Sequence, residues 1–281
     1  MPVEGAKREN LPDLQNEKDL RNKHIERAGV ARVQIPLKVS RKDNTDGIPQ
    51  YVQAMVWMYT SIGPEHKGAN MSRFLETLME YENVQLTSKS LKQIIEDMLG
   101  RLGSGSTDGY MKISFKYFLP KYAPVSHKRG VQGYDVSFIG RMKDGVYDWG
   151  IEVDAVGTNC CPCSKEISSP KIGGRGGAHN QRNHIKVRLT PNDNLFWIED
   201  IIDVIEKQFS CPIYPLLKRE DEKWVTEMAY ENPKFVEDLA RDVAVALDEL
   251  GVARYKISST ADESIHHHEA EAIVSKDWIL G

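Results

Sequence analysis

The sequence predicts an α+β protein in which two ββααββ modules follow each other along the chain. Segments that alternate apolar and polar residues, as strands with one solvent-facing side do, recur in both halves. Between them lie segments whose apolar residues repeat at helical spacing, again in both halves. Each module therefore predicts an antiparallel sheet with its helices on one face.

The first module is predicted for residues 30–144, after a polar N-terminal arm at residues 1–29. The first strand begins at Ala31, where Val33, Ile35, Leu37 and Val39 start to alternate with polar residues. The four strands of this half are predicted at residues 31–40, 50–62, 110–119 and 133–142. Two helices are predicted around residues 74–78 and at 91–102, the second ending at Gly103.

The second module is predicted for residues 145–281, where the same order of elements returns. Its strands are predicted at residues 146–156, 184–189, 253–259 and 269–280, and its first helix at 198–209. We expect Asn232 to cap the second helix and Pro233 to open it, with Gly251 as its stop. The charged stretch 218–227 has the composition of a solvated loop.

The composition is that of an ordinary globular protein of 281 residues with 40% hydrophobic residues. A net charge of -4 gives no sign of a nucleic-acid or membrane partner, and no run of about 18 apolar residues is present. The polar N-terminus lacks a signal-peptide core, so we expect a cytoplasmic protein with free thiols. Because each sheet exposes one face and its edges, we also expect a multimer.

Three of the four cysteines lie together at Cys160, Cys161 and Cys163. A closed zinc site needs a second cysteine pair or two regularly spaced histidines, and no second cysteine pair is present. An open site with one thiolate and ligands from elsewhere is one interpretation, since catalytic metals keep an open position. The alternative is that these thiols are small buried hydrophobic groups.

Other polar clusters leave several interpretations open. In an extended strand His266 and His268 would point one way and His267 the other, whereas a lone histidine such as His179 is more often a hydrogen-bonding residue than a ligand.

Spacing alone does not separate three possible carboxylates: Glu222, Glu227 and Glu237. A helix N-terminus beside basic residues favours an anion, and this applies to three residues: His66, Lys67 and Arg73. The glycine-rich run 173–177 is either a second phosphate cradle or a flexible insertion.

Taken together, four motifs resemble the type IB GTP cyclohydrolase family over nearly the whole chain beyond the arm. They read HKGANMSRF, CPCSKEIS followed by GAHNQR, LLKREDEKWVTEMAYENPKFVEDLARD, and ESIHHHEAEA. The resemblance implies a tunnelling fold with two ββααββ units per chain and a homotetramer with active sites between subunits. It also implies hydrolysis of GTP to 7,8-dihydroneopterin triphosphate and formate, the entry step to folate-type pterins.

The resemblance further implies roles for individual residues. Cys161 is similar to the family's metal-binding catalytic thiolate, and His179 to its histidine at the metal, which also transfers protons. The remaining implied roles are a metal ligand at His266, a metal carboxylate at Glu222 or its rival Glu220, a guanine anchor at Glu237 or its rival Glu227, and triphosphate contacts at His66, Lys67 and Arg73. One thiolate with imidazole and carboxylate suits Zn, Mn or Fe(II).

This chain departs from the family pattern in the insert-like residues 169–177 and in the additional Cys160. The insert lengthens the segment between Cys161 and His179, so it must bulge outward if both residues reach one metal. Three other functions are compatible with parts of the pattern. They are an archaeal-type relative that makes a cyclic phosphate of dihydroneopterin, the nitrile reductase of queuosine synthesis, and a pterin- or purine-binding protein without catalysis. The histidines of ESIHHH argue against the reductase.

Overall fold

The computed structural model describes residues 14–42, 48–103, 106, 108–194 and 197–280. The described strands are β1 (Ile25–Val39), β2 (Gln50–Ile62), β3 (Gln85–Leu86), β4 (Gly109–Tyr122), β5 (Arg129–Lys143), β6 (Val146–Cys160), β7 (Asn180–Leu189), β8 (Cys211–Pro212), β9 (Tyr255–Asp262) and β10 (Glu269–Lys276). The described α-helices are α1 (Met71–Met79), α2 (Ser88–Leu102), α3 (Pro162–Ile167), α4 (Ile198–Glu206), α5 (Arg219–Glu231) and α6 (Val236–Glu249).

These strands form one continuous sheet in the order β10-β9-β7-β6-β5-β4-β2-β1-β3, with β8 paired to β6. Neighbouring strands are antiparallel, except that β3 runs parallel to β1. The two halves meet in the β5–β6 hairpin, where Asp144 and Gly145 have φ values of 49° and 75°. Two positive φ angles are what a tight hairpin with the natural sheet twist requires. The division into modules at residue 144 stays a prediction, because hydrogen bonding continues across it.

The helices pack on one face of the sheet, which confirms the predicted α+β class. In β6 the side chains of Ile151, Val153 and Ala155 lie in the core, and the stripe Ile201, Ile202 and Ile205 of α4 joins the same core. The residues between them on the strand, Glu152 and Asp154, belong to the opposite face. That face carries polar side chains and a groove of about 560 Å³.

The first strand begins six residues before the predicted start at Ala31. Ile25 already pairs with Ile62 of β2, and the register shifts twice before Val33. Each shift interrupts the alternation of faces, so the period of two is visible in the sequence only after the second irregularity. Residues 1–13 of the predicted arm lie outside the described part of the chain, and Lys18 bridges His66.

The charged stretch at 218–227 was expected to be a loop, and this prediction is wrong because most of it lies in α5. Asp221 in the first turn accepts a hydrogen bond from the backbone N–H of Lys218 at 2.8 Å, which satisfies the start of the helix. Asn232 ends α5 instead of capping α6, which begins at Val236. The last strand ends at Lys276, before Asp277 with its φ of 49°.

Candidate active site

The cysteine segment lies where the long central strand β6 ends. Cys160 is the last residue of β6, and Cys161 is the N-cap of the short helix α3, whose first residue is Pro162. A proline at this position is favourable because its fixed φ suits a helix and its missing N–H needs no partner. The Cys161 sulfur accepts the N–H of Ser164 at 3.5 Å, so this thiol lies at the surface end of the sheet rather than in the core.

His179 returns to the same place after the intervening loop. The N–H of Cys161 donates to the carbonyl oxygen of His179 at 3.0 Å, and the N–H of His179 donates to Ser164 Oγ at 3.0 Å. The next residue, Asn180, pairs with Cys160 as β7 begins. The structure therefore brings the backbones of Cys161 and His179 together, and the segment 169–177 bulges outward as its length requires.

Two residues lie next to the His179 ring: Gln181, to which the sequence assigned no role, and Glu263, which the sequence suggests as a carboxylate close to a metal held by the neighbouring histidines. His179 Nδ1 lies 2.8 Å from Gln181 Oε1, and Gln181 Nε2 donates to Glu263 Oε1 at 3.2 Å. Glu263 Oε2 lies 3.9 Å from the same histidine nitrogen. Gln181 is two residues from His179 on a strand, so its position on the same face is readable from the sequence. The approach of Glu263 depends on the pairing of β7 with β9.

The neighbouring thiols occupy different environments. Cys160 is 2% exposed, and burial raises the pKa of its thiol. Its N–H donates to Ser210 Oγ and its carbonyl accepts from Lys234 N–H. Cys161 is half-buried and Cys163 is exposed, while all four cysteines of the chain are free. Since a thiolate is the form that binds metal, Cys161 suits that role better than Cys160.

The other residues expected at the metal lie at this end of the sheet but not in one cluster. His266 is exposed in the β9–β10 turn, and its ring stacks on that of His268 with centroids 4.8 Å apart. Glu222 is exposed in the first turn of α5, as is its rival Glu220. No group of three or more potential metal ligands is assembled within the described part of this chain.

The carboxylates considered for guanine binding also differ. Glu227 is exposed and lies 3.5 Å from Lys223 across one turn of α5. Glu237 lies in the first turn of α6, shortly after Lys234, whose N–H donates to the carbonyl of Cys160 at 3.0 Å. The start of α6 is thereby anchored to the end of β6, and the end of α5 is held by Lys165, which donates to the carbonyl of Tyr230. These contacts do not separate Glu237 from Glu227.

Cys161 and His179 fit a divalent cation as far as their chemistry is concerned. A thiol and an imidazole are ligands shared by Zn and Fe(II) sites, and the thiol is accessible. The ring of His179 holds its partner with Nδ1, so Nε2 is the nitrogen that can bind a cation. The described residues bring the backbones of these two candidate ligands together and leave the other candidates at a distance.

The residues expected to bind phosphate lie at the opposite end of the sheet. Strand β2 ends at Ile62, and Thr60 pairs with Gly109, which pairs with Met142 next to the β5–β6 turn. The start of β6 is therefore level with the end of β2, whereas Cys160 lies at the far end of this 15-residue strand. At 3.3 Å per residue the separation along the strand is about 50 Å.

These basic residues already have partners within the chain. Lys67 Nζ donates to Glu17 Oε2 at 2.6 Å, and His66 Nδ1 lies 3.2 Å from Glu65 Oε1. Arg73 Nη1 donates to the carbonyl oxygen of Arg101 at 2.6 Å, where it caps the end of α2. Reaching a phosphate would require Lys67 and Arg73 to exchange or share that partner, whereas His66 Nδ1 lies close to Glu65 without making a hydrogen bond.

Comparison with known families gives a match over almost the whole chain. The model described as Type I GTP cyclohydrolase folE2 matches residues 11–272. A GTP cyclohydrolase FolE2 from Methylobacillus flagellatus is 43% identical over 268 residues, which cover 95% of this chain and 96% of that protein. A FolE2 from Neisseria gonorrhoeae is 42% identical over 266 residues, covering 94% of this chain and 98% of that protein.

Comparison with solved structures identifies the fold. A uricase from Bacillus fastidious superimposes with a TM-score of 0.53 and 7% sequence identity, covering 89% of this chain and 92% of that one. A hyperthermostable mutant of the Bacillus sp. TB-90 urate oxidase gives 0.50 and 10%, covering 89% and 98%. At such low identity these likenesses show the fold alone, and that fold is the tunnelling fold predicted from the motifs.

Proposed function

The chain belongs to the type I GTP cyclohydrolase FolE2 family, and from that premise we propose that it hydrolyses GTP to 7,8-dihydroneopterin triphosphate and formate. This reaction is the first step of folate-type pterin synthesis. The observation that carries the proposal is the contact between the Cys161 segment and His179 at the end of β6. It occurs in a chain that is similar to FolE2 proteins along 95% of its length.

Each residue of this site has a definite task in the proposed reaction. Cys161 and His179 would hold a divalent cation, with Glu222 and His266 as further ligands. A bound divalent cation supplies Lewis-acid activation of water at neutral pH. Because Nδ1 is engaged with Gln181, the Nε2 lone pair of His179 would hold either the cation or a proton, one at a time. Zn, Mn and Fe(II) all suit this donor set.

Substrate recognition is assigned to residues on two separate surfaces. Glu237 would accept hydrogen bonds from the guanine N–H groups, which a carboxylate does strongly. His66, Lys67 and Arg73 would contact the triphosphate. Because the two surfaces lie about 50 Å apart along one strand, we infer that one GTP contacts two chains.

An assembly of several chains follows from this arrangement. The predicted homotetramer, with sites between subunits, supplies the metal-binding end of one chain and the phosphate-binding end of another. Both outer strands of the sheet, β10 and much of β1, offer edges for such assembly.

None of the helices in the described part of the chain has the length and hydrophobicity of a membrane span. The cytoplasmic location stays a prediction.

The decisive experiment is anaerobic incubation of metal-stripped protein with GTP, with Zn, Mn or Fe(II) added separately. Formate would be assayed directly, and products would be oxidised and separated as fluorescent neopterin phosphates. Formate with neopterin triphosphate supports the proposal and identifies the usable metals. A cyclic phosphate product would assign the chain to the archaeal-type reaction instead. Absence of formate with every metal would overturn the proposed catalysis.

A further inference from the structure

The ring of His179 is held by a chain of two hydrogen bonds that ends in a carboxylate. Nδ1 of His179 lies 2.8 Å from Gln181 Oε1, and Gln181 Nε2 lies 3.2 Å from Glu263 Oε1. Gln181 is 6% exposed, and the side chains of His179 and Glu263 are 17% and 13% exposed. Water therefore competes little for these groups, so their mutual hydrogen bonds determine their orientation.

The direction of each hydrogen bond follows from the chemistry of the last group. An ionised carboxylate can only accept, so the Gln181 amide must turn its NH₂ group toward Glu263. Its carbonyl oxygen then faces His179 and can only accept in turn. The neutral His179 ring must consequently carry its proton on Nδ1, which leaves the Nε2 lone pair available.

We propose that Gln181 and Glu263 are positioning residues that hold His179 in the Nδ1–H tautomer and direct Nε2 to the cation and substrate. Neither residue needs to touch the substrate. The assignment rests on the proposed function for its catalytic meaning, whereas the orientation of the ring rests on the contacts alone. Glu263 precedes the turn that carries His266, and its backbone carbonyl accepts the His266 N–H at 3.3 Å, so this one residue contacts the segments of two expected ligands.

The arrangement predicts that the two groups can be exchanged. A glutamate at position 181 and a glutamine at position 263 would preserve both hydrogen bonds, because the carboxylate would accept from His179 and from the new amide. Gln181→Glu alone would instead place two carboxylates together, and Gln181→Met would remove both hydrogen bonds at similar volume. Glu263→Gln alone allows the neighbouring amide to turn over, which costs less.

The test is zinc affinity of the full-length protein, measured by competition with a chromophoric chelator, for each of these variants. We expect Gln181→Met and Gln181→Glu to weaken zinc binding by about 10- to 100-fold, the range for residues that orient metal-binding histidines. The combined variant Gln181→Glu/Glu263→Gln should return to within a few-fold of the wild type. Gln53→Met is the matched control, since Gln53 lies on the distant strand β2, where its side-chain amide donates a hydrogen bond to Gln34 Oε1.

Thermal unfolding of each variant and formate release from GTP complete the experiment. Zinc affinity of Gln181→Met equal to that of Gln53→Met would overturn the proposal, and so would an exchanged pair that binds no better than Gln181→Glu while unfolding cooperatively. A wild type that binds zinc but releases no formate would refute the cyclohydrolase function, while the affinities would still decide the role of Gln181. A wild type that binds none of the three cations would overturn both.

Discussion

Two adjacent cysteines differ in their burial and in their hydrogen bonds. Cys160 is the last residue of β6 and points into the core, where its neighbours exclude water. Cys161 begins the turn into α3, and its sulfur accepts a backbone N–H at the surface. The family resemblance implies the ligand role for Cys161, while the spacing of the cysteines alone does not distinguish it from Cys160. The difference in burial favours Cys161 as the ligand.

We expect Cys161→Ala to abolish formate release and zinc binding, while Cys160→Ala keeps both. The second substitution should lower the free energy of unfolding by about 1 kcal/mol, as for a small loss of buried volume. Denaturant unfolding, chelator competition and formate assays on both variants test this. Equal loss of zinc affinity in the two folded variants would show that Cys160 takes part in the site.

Asp221 is a buried carboxylate with a structural task. It accepts hydrogen bonds from Val125 N–H and Ser126 N–H at 2.8 Å each, and from Ser126 Oγ at 2.6 Å. Burial alone would raise the pKa of this carboxyl, but the hydrogen bonds from Ser126 and the backbone hold it well below its ordinary range. The carboxylate thus ties the start of α5 to the β4–β5 turn.

Asp221→Asn should destabilise the protein at neutral pH, because an amide cannot accept all of these hydrogen bonds. A folded-state pKa below the unfolded value means that the ionised group stabilises the fold above the unfolded pKa of about 3.9. The stability difference between wild type and variant should therefore be constant from pH 7 to 5 and shrink as the pH falls below 3.9. Urea unfolding across this range measures it, with the exposed Glu227→Gln as control. A constant difference down to pH 2 would contradict the assignment.

At the scale of elements, β6 packs closely against the segment after α4 because residue 157 is a glycine. An added Cβ on Gly157 would lie 2.1 Å from the ring of Phe209, which is 2% exposed. The strand and the segment after α4 can approach closely only because this residue is glycine. Since β6 ends at the cysteines, the same packing determines where Cys161 lies.

We expect Gly157→Ala to lower the free energy of unfolding by about 1–3 kcal/mol through overpacking. Gly100→Ala is the matched control, because Gly100 lies inside α2 and an added Cβ meets nothing within 4 Å. That substitution should stabilise the protein by about 0.5–1 kcal/mol, as alanine does in a helix interior. Chemical denaturation of both variants would test the opposite signs, and equal effects would contradict the packing argument.

Helix α5 shows why local composition gave a wrong prediction of a loop at residues 218–227. Its residues are mostly charged, and only Asp221 and Ala229 are buried along its 13 residues. A helix with so narrow an apolar face resembles a solvated loop in sequence. Its stability comes from tertiary contacts at both ends: Asp221 at the start, and at the end Lys165, which donates to the carbonyl of Tyr230 and lies over its ring.

At the scale of the whole molecule, the predicted functional residues are divided between the two ends of one sheet. The metal-binding candidates and Glu237 lie toward the end of β6 without forming one cluster, and the phosphate-binding candidates lie beyond the end of β2. Under the proposed function, a single chain therefore presents two half-sites. Association of chains through their sheet edges would join half-sites of different copies, in keeping with the proposed homotetramer.

Mixing two inactive variants tests this division. Cys161→Ala and Lys67→Ala remove opposite half-sites, so unfolding and refolding the two together should restore formate release, because some mixed sites contain both intact halves. Neither variant should regain activity when refolded alone. Mixing Cys161→Ala with His179→Ala is the control, since both changes remove the same half-site. Equal recovery in the control, or none in the test mixture, would contradict sites shared between chains.

The sequence by itself determined the α+β class, the order of the eight predicted strands, and the motifs that identify the family. These properties are local or periodic, since alternation, helical spacing and glycine stops are readable along the chain. It did not reveal the early start of β1, which two register shifts conceal, or α5, which lacks a wide apolar face. Only the tertiary structure decided which thiol is buried, which groups hold His179, and that the candidate metal-binding and phosphate-binding residues lie at opposite ends of the sheet. These depend on strand pairing between residues distant in sequence, such as Arg182 with Asp262, and no local pattern specifies such a pairing.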